Sequence, residues 1–474
     1  MTTSPILEQT TERAAWQPAR QSLLGAVLLG GLALFVVASG LTFLDHMAPS
    51  LPLAIVGGLG LTFLIALTVA RYEAAVFVGF LLSGVVKFEP APPDGVFAVI
   101  MAIAIVSGRL RIDRLPAPVA FALTSLTVLN VLSFAAAYSI SDGLRFASIT
   151  LYLVVFGVWL TGYADREQRG RQIVIAWLWI AVFSAILGSL ALEFPSFPLR
   201  DDFIGDGASR AMALFKDPNV YGPFLIPIAV IVLEEIINPR LLRIKAVTGL
   251  ALVAVLVFGL LFSFSRAAWA NMLLSTAVML LILLLRRQHT GRVFAVVGGL
   301  GIVAMVVLAV IVFSGNADFI GQRAQLQGYD TERFGAQKAG VELAMHYPLG
   351  VGPGQFMHHH PVETHSTYVR VLAEQGPLGL VTWIALALTT LFMAIGNALA
   401  GRRSAGIGSA ALLGAWCGLL FNSVVVDTLH WRHLWVVAAL IWAGTLVGRR
   451  EEREARAREA RDEEQRAERR AALA

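Results

Sequence analysis

Long apolar runs, each near the length of a membrane-crossing helix and each closed by charged or turn-forming residues, set the rhythm of this chain. A helix crossing the roughly 30 Å hydrocarbon layer needs about 20 mostly apolar residues. Runs of that kind fall at 22–44, 51–70, 73–86, 95–108, 116–137, 144–162, 172–193, 219–236, 243–264, 267–285, 293–314, 366–399, 405–425 and 431–447. The third and fourth are short, so the pattern predicts about 14 spans, or about 12 if that pair is interfacial or re-entrant. A transmembrane β-barrel would show short alternating segments separated by turns. The runs here are unbroken, and a helix satisfies its own backbone hydrogen bonds in lipid. The expected fold is an all-α polytopic membrane helix bundle of about 12–14 helices.

Composition supports that reading. Hydrophobic residues make up 57% and charged residues 15% of the chain, with a mean hydropathy of +0.71. Soluble domains carry about 45–50% apolar and about 25% charged residues. The net charge of +5 would suggest a nucleic-acid partner in a soluble protein. Here the positive residues are scattered over short loops, which points to membrane orientation instead and to no nucleic acid. The single cysteine, Cys417, excludes an internal disulfide framework and any multi-cysteine metal site. The first run is too long for the core of a cleavable signal, so it is expected to stay as a span.

Sorting the loops by charge gives a direction. Arg71, the 109–114, 166–171, 240–245, 286–292 and 402–403 loops, and Arg449 and Arg450 all fall on one side if the spans alternate. The positive-inside rule makes that side cytoplasmic. The chain then divides into a cytoplasmic N-terminus (1–21), transmembrane helices (22–314) interrupted by a polar periplasmic loop at 195–219, a large periplasmic loop (315–364), C-terminal helices (365–448) and a charged cytoplasmic tail (449–474). The large loop carries its own helical stretch near 331–346 and a Gly/Pro-rich turn, so it is expected to be ordered. The tail reads as a solvated helix at the cytoplasmic face, rich in opposite charges four residues apart.

Charges at a membrane rim are costly and count as functional candidates. They cluster on the expected outer side: Arg266 between two apolar runs, Arg145 and Lys216 at span starts, Arg210 in the polar loop, and His365 and Arg370 opening a late span. Four segments there resemble the bacterial O-antigen ligase and O-antigen polymerase family. Phe215-Lys216-Asp217-Pro218-Asn219 is similar to its F-x-[DN]-P-N box, and Ser265-Arg266-Ala267 to its Ser-Arg-Gly segment. The stretch from Met345 to Phe356 resembles the glycine-rich turn of its large loop. His365, with Glu374-Gln375-Gly376-Pro377-Leu378-Gly379, resembles its late signature. The segments stand in family order over about 215–380, whereas the N-terminal third matches in hydropathy alone. Ala267 replaces the commoner glycine, and Phe334 stands where the family often has tryptophan.

The resemblance implies a GT-C-like, metal-independent, inverting glycosyltransferase of the inner membrane with a periplasmic active site and no cofactor. Its donor would be a glycan on undecaprenyl pyrophosphate, and its acceptor another glycan, lipid A-core or another sugar, met among membrane lipids. Arginine suits the diphosphate leaving group because its fork stays charged and binds phosphate oxygens in pairs. Arg266 is the first choice, with Arg370, Arg210 and Arg145 as helpers and Lys216, Asp217 and Asn219 as further substrate-binding candidates. His365 is the candidate base, since an imidazole titrates near neutrality. Structural roles compete: Asp217-Pro218-Asn219 is also a helix-start signal, and Glu374 stands one turn from Arg370 as an ion-pair partner. His358, His359 and His360 match no metal-ligand spacing. A secondary transporter, or a non-catalytic component of an envelope assembly machine, is the alternative.

Overall fold

The computed structural model describes residues 51–205, 209–287, 289–313 and 328–448, with Arg458 and Arg461. The N-terminus at 1–21, the expected first span at 22–44, the loop segment 314–327 and the rest of the tail lie outside the described residues.

Every expected span within the described residues coincides with a helix. The helices are α1 (Leu51–Ala70), α2 (Tyr72–Leu81), α3 (Pro92–Val106), α4 (Ala117–Leu132), α5 (Ile140–Tyr163), α6 (Glu167–Glu193) and α7 (Pro218–Ile237). They continue with α8 (Ala246–Phe262), α9 (Arg266–Leu285), α10 (Thr290–Phe313), α11 (Gly328–His346), α12 (Thr367–Leu399), α13 (Ser409–Val425) and α14 (Arg432–Gly448). The strands among the described residues are two short hairpins, Ile204–Gly205 with Arg210–Ala211 and Arg403–Ser404 with Ile407–Gly408. The protein is an all-α polytopic membrane bundle. Among the described residues, six helices are long and apolar enough to cross a membrane by length and composition, and shorter apolar helices accompany them.

The ion pairs sort onto two ends of the bundle. At one end the arginine-rich loops meet each other: Arg169 pairs with Glu73 and Asp165, Arg114 with Asp165, and Arg403 with Glu235. At the other end Lys87 pairs with Asp202, and Glu89 with Arg145 and Lys216. The short pair α2 and α3 runs between these ends. Tyr72 and Glu73 sit with Arg109 and Arg169, the 87–89 turn sits with the polar loop, and the chain returns to Arg114. These two helices therefore traverse the bundle despite their length.

α7 is the central element, with 94% of its apolar window buried. α9 and α13 pack closely because Gly414 and Gly418, four residues apart, face Ser275 and Asn271. A Cβ at Gly418 would fall 1.9 Å from the Asn271 Oδ1 and one at Gly414 2.2 Å from the Ser275 carbonyl. Small residues let backbones approach in this way and favour helix association in membranes.

Candidate active site

The head of α7 is built as its sequence predicts. Asp217 is the N-cap and accepts from the Asn219 N–H at 2.8 Å, with Pro218 in the first turn. Asn219 in turn accepts from Arg210 Nη2 at 2.9 Å, while Arg210 Nε donates to the Ser263 carbonyl at 2.8 Å. Arg210 is buried and ties the polar-loop hairpin to the ends of α7 and α8. The same turn carries Ser265, which caps α9 through the Ala268 N–H, and Arg266 is the first residue of that helix. α7 passes directly against it: a Cβ at Gly222 would lie 2.7 Å from Ser263 Oγ and 2.9 Å from Ala268 Cβ.

The far end of α13 joins this group to the start of α12. The Asn422 amide lies 3.3 Å from the Ala267 carbonyl, next to Arg266. Adjacent Ser423 accepts at its carbonyl from Ser366 Oγ at 3.4 Å, next to His365. Two consecutive residues of α13 thus hold the neighbours of both leading candidates. His365 is half-buried and adopts φ 45°, in the left-handed region; Phe264, two residues before Arg266, does the same at φ 47°. Burial, then the Arg333 guanidinium from α11, push the His365 imidazole below the ordinary histidine value, against the pull of Asp217 and Asp427. The histidine therefore stands among Arg333, Asp217 and Asp427.

The glycine-rich turn docks into a break in α12. At Gly376 the backbone leaves helical geometry (φ 71°, ψ −178°) ahead of Pro377, which cannot donate. Two carbonyls so released are taken by the turn: Val351 N–H donates to Ala373 O and Gly352 N–H to Glu374 O, both at 3.0 Å. Gly354 N–H donates to the Glu374 carboxylate at 2.9 Å. The glycine, proline and acidic residue of the late signature therefore form the socket of the large loop.

Arg370 is buried between Glu374, at 3.2 Å, and Asp427, and its guanidinium lies 4.8 Å from the Phe146 ring centre. The i,i+4 pairing of Arg370 with Glu374 follows the expectation. Asp427 had no signal as a motif, but it sits with His430, Arg432 and His433 in a short stretch from the gap between two apolar runs into the start of the second, a local density of charge that sequence could have flagged. Burial alone would raise the Asp427 carboxyl, yet Arg370 and His430 hold it below the ordinary carboxylate value. His430, bonded to Thr150 Oγ1 at 2.9 Å, is pushed down to about 3 by burial and then by Arg370.

Arg145 and Lys216 share Glu89, so they form a second, more exposed group. Arg145 also lies 5.8 Å from the Phe146 ring that Arg370 covers. The structure thus brings Arg266, Arg210, Asp217, Asn219 and His365 to one junction. It places Arg370 beside that junction within an internal ion-pair cluster, and Arg145 and Lys216 across Phe146. Arg333, near His365, was passed over in the sequence because nothing in a polar loop helix distinguishes one arginine from its neighbours. The three adjacent imidazoles diverge: His358 bonds Asp142, His359 faces Tyr347 and His360 bonds Val362.

A helix bundle with several helix starts, a docked loop and this charge cluster at one end defines a polytopic membrane protein whose polar chemistry lies at a rim. Residues 251–384 match the model of the O-antigen ligase (Wzy_C) family. The match takes in Arg266, Arg333, the glycine turn, His365, Arg370 and the Gly376 break. No curated protein matches the chain.

Proposed function

We propose that this protein is a membrane glycosyltransferase that ligates or polymerises an undecaprenyl-pyrophosphate-linked oligosaccharide at the periplasmic face of the inner membrane. The observation that carries the reading is the convergence of the Arg266 and His365 segments on Asn422 and Ser423, within a chain that matches the O-antigen ligase family model.

In this scheme Arg266 holds the diphosphate, with Arg333 close to the base. His365 is uncharged at neutral pH and takes the proton of the acceptor hydroxyl as its oxygen attacks the anomeric carbon. The bond from that carbon to the diphosphate oxygen breaks, and the leaving group departs with the electron pair onto the arginine. A single displacement inverts the anomeric centre, and no step calls on a metal. Asp217, Asn219 and Arg210 fix the helix starts that aim these groups, while Lys216 and Arg145, two cations on the one carboxylate of Glu89, add positive charge to the substrate approach, and Arg370 keeps Glu374 and Asp427 from repelling the diphosphate. The acceptor is a sugar hydroxyl of another glycan, of lipid A-core or of another carrier.

The test is transfer by purified protein supplied with a lipid-linked oligosaccharide and a sugar acceptor. Arg266→Ala and His365→Ala should each abolish product while the protein still inserts in membranes. Native-level product from both would remove them from the site. In a deletion strain, accumulated single lipid-linked repeats would assign polymerisation, and accumulated long lipid-linked chains would assign ligation.

A further inference from the structure

A cavity of about 330 Å³ lies among α2, α3, α5, α6, α7 and α14, beside the Glu89–Arg145 pair. This volume falls within the range of about 300–1,000 Å³ common for small-molecule sites. Exposed Phe88 and Glu89 mark its outer end, and buried Phe80 and Trp177 its inner end. Among its lining side chains two carboxylates meet two guanidinia, Glu89 with Arg145 and Asp94 with Arg432, while Lys216, which shares Glu89, stands outside the wall. The wall is therefore suited to an uncharged ligand.

The polar groups on the wall suit a ligand that carries hydroxyls. Tyr152 interacts with both members of the Asp94–Arg432 pair. Ser83 and Ser148 donate their protons to backbone carbonyls at 2.6 and 2.8 Å, which leaves their oxygens as acceptors. The residues Trp177 and His433 line the same cavity, and their Nε1 and Nε2 atoms have no hydrogen-bond partner among the described residues. An acyl chain would offer no hydrogen-bonding partner to the Asp94–Arg432 pair or to the serine oxygens. A carboxylate beside a guanidinium instead matches a vicinal diol: one accepts from a hydroxyl and the other donates to its neighbour. Aromatic faces from Phe146 and Trp431 complete a wall that covers the apolar face of a ring.

The cavity also stands next to the proposed transfer centre. Phe146 is shared with a second cavity of about 240 Å³, which is lined by Thr364, adjacent to His365, and by Arg370. We propose that the larger cavity is a saccharide subsite, which binds a neutral pyranose bearing a vicinal diol and selects the glycan by the sugar next to the reacting one. This rests on the glycan-transfer reading above.

The experiment uses the full-length protein in lipid nanodiscs. The probe is the oligosaccharide repeat released by mild acid from the lipid-linked glycan of the same strain, with binding measured by microscale thermophoresis. Saturable binding is expected in the native and His365→Ala proteins alike, weakened at least about tenfold by Tyr152→Phe, which removes one hydroxyl, and by Phe88→Ala, an exposed position whose loss leaves the fold intact. In turnover, Tyr152→Phe should raise KM for the lipid-linked glycan at least about tenfold and leave kcat within about twofold. Unchanged binding and KM in both variants, with transfer abolished by Arg266→Ala, would overturn the subsite alone. Binding of dodecanoic acid that the oligosaccharide does not displace, and that Tyr152→Phe leaves intact, would overturn it in favour of an acyl-chain pocket. Native transfer by both Arg266→Ala and His365→Ala would instead sink the glycan-transfer reading.

Discussion

Gly376→Ala tests whether the break in α12 is the device that seats the large loop. At φ 71° and ψ −178° the backbone occupies a region essentially reserved for glycine, and a side chain there costs about 1–3 kcal/mol. The added Cβ would also fall 2.2 Å from the Pro348 carbonyl, a contact relieved by lifting the turn away. Lifting it forfeits the Val351 and Gly352 hydrogen bonds, each about 0.5–1.5 kcal/mol. Those hydrogen bonds oppose lifting, so the penalty against the docked loop is the strain itself, about 1–3 kcal/mol, or at least about fivefold in its population. If transfer needs the loop seated beside His365, the rate should fall by a similar factor, as measured by product formation from a lipid-linked donor in membranes. Limited proteolysis within 347–364 should accelerate in parallel. The control is Gly335→Ala, at a helical position in α11 where a Cβ meets nothing within 4 Å; it should be neutral or stabilise α11 by up to about 1 kcal/mol. Native transfer and native protease resistance in Gly376→Ala would refute the reasoning.

Other substitutions separate charge from architecture. If the His365 imidazole, held below the ordinary histidine value, acts as its free base as proposed, kcat should stay flat as pH falls through about 6.5 and drop only below it. Arg333→Gln removes a nearby positive charge and should move that acid limb to higher pH; a shift to lower pH in initial-rate profiles would contradict it. Arg370→Met leaves Glu374 and Asp427 facing each other without their cation and should cost about 3–5 kcal/mol. Asp427→Asn keeps the Arg370–Glu374 pair and should cost clearly less, so equal falls in thermal midpoint would count against the cluster as described. Arg145 is 41% exposed, and losing its pair should cost no more than about 1 kcal/mol of stability. Arg145→Ala should therefore retain its thermal midpoint while KM for the donor rises.

The helices were legible because lipid permits few backbone solutions, and apolar length reports them almost directly. Even α2 and α3, too short to settle by length, fall between the two sets of loops. The site was legible where a motif marks a helix start, as at Asp217, Ser265 and His365. Their mutual placement was not, because it depends on Gly418 admitting Asn271 and on the socket at Gly376, which are properties of packed pairs. A rim arginine also looks alike in sequence whether it is free for phosphate or held by a carboxylate from another loop. Arg370 and Asp427 show this, since their partnership spans most of the C-terminal helices.

The enclosure of α7 has a consequence for how the protein meets different membranes. Bilayer thickness and lipid composition act on a protein through the surfaces that touch lipid. α7 offers almost none, and Asp217, Asn219 and Arg210 are anchored at its head, against the turn that starts α9. Outer helices can tilt to follow a thinner or thicker bilayer while this axle keeps its depth. The transfer centre proposed at its tip would meet the bilayer only through those outer helices.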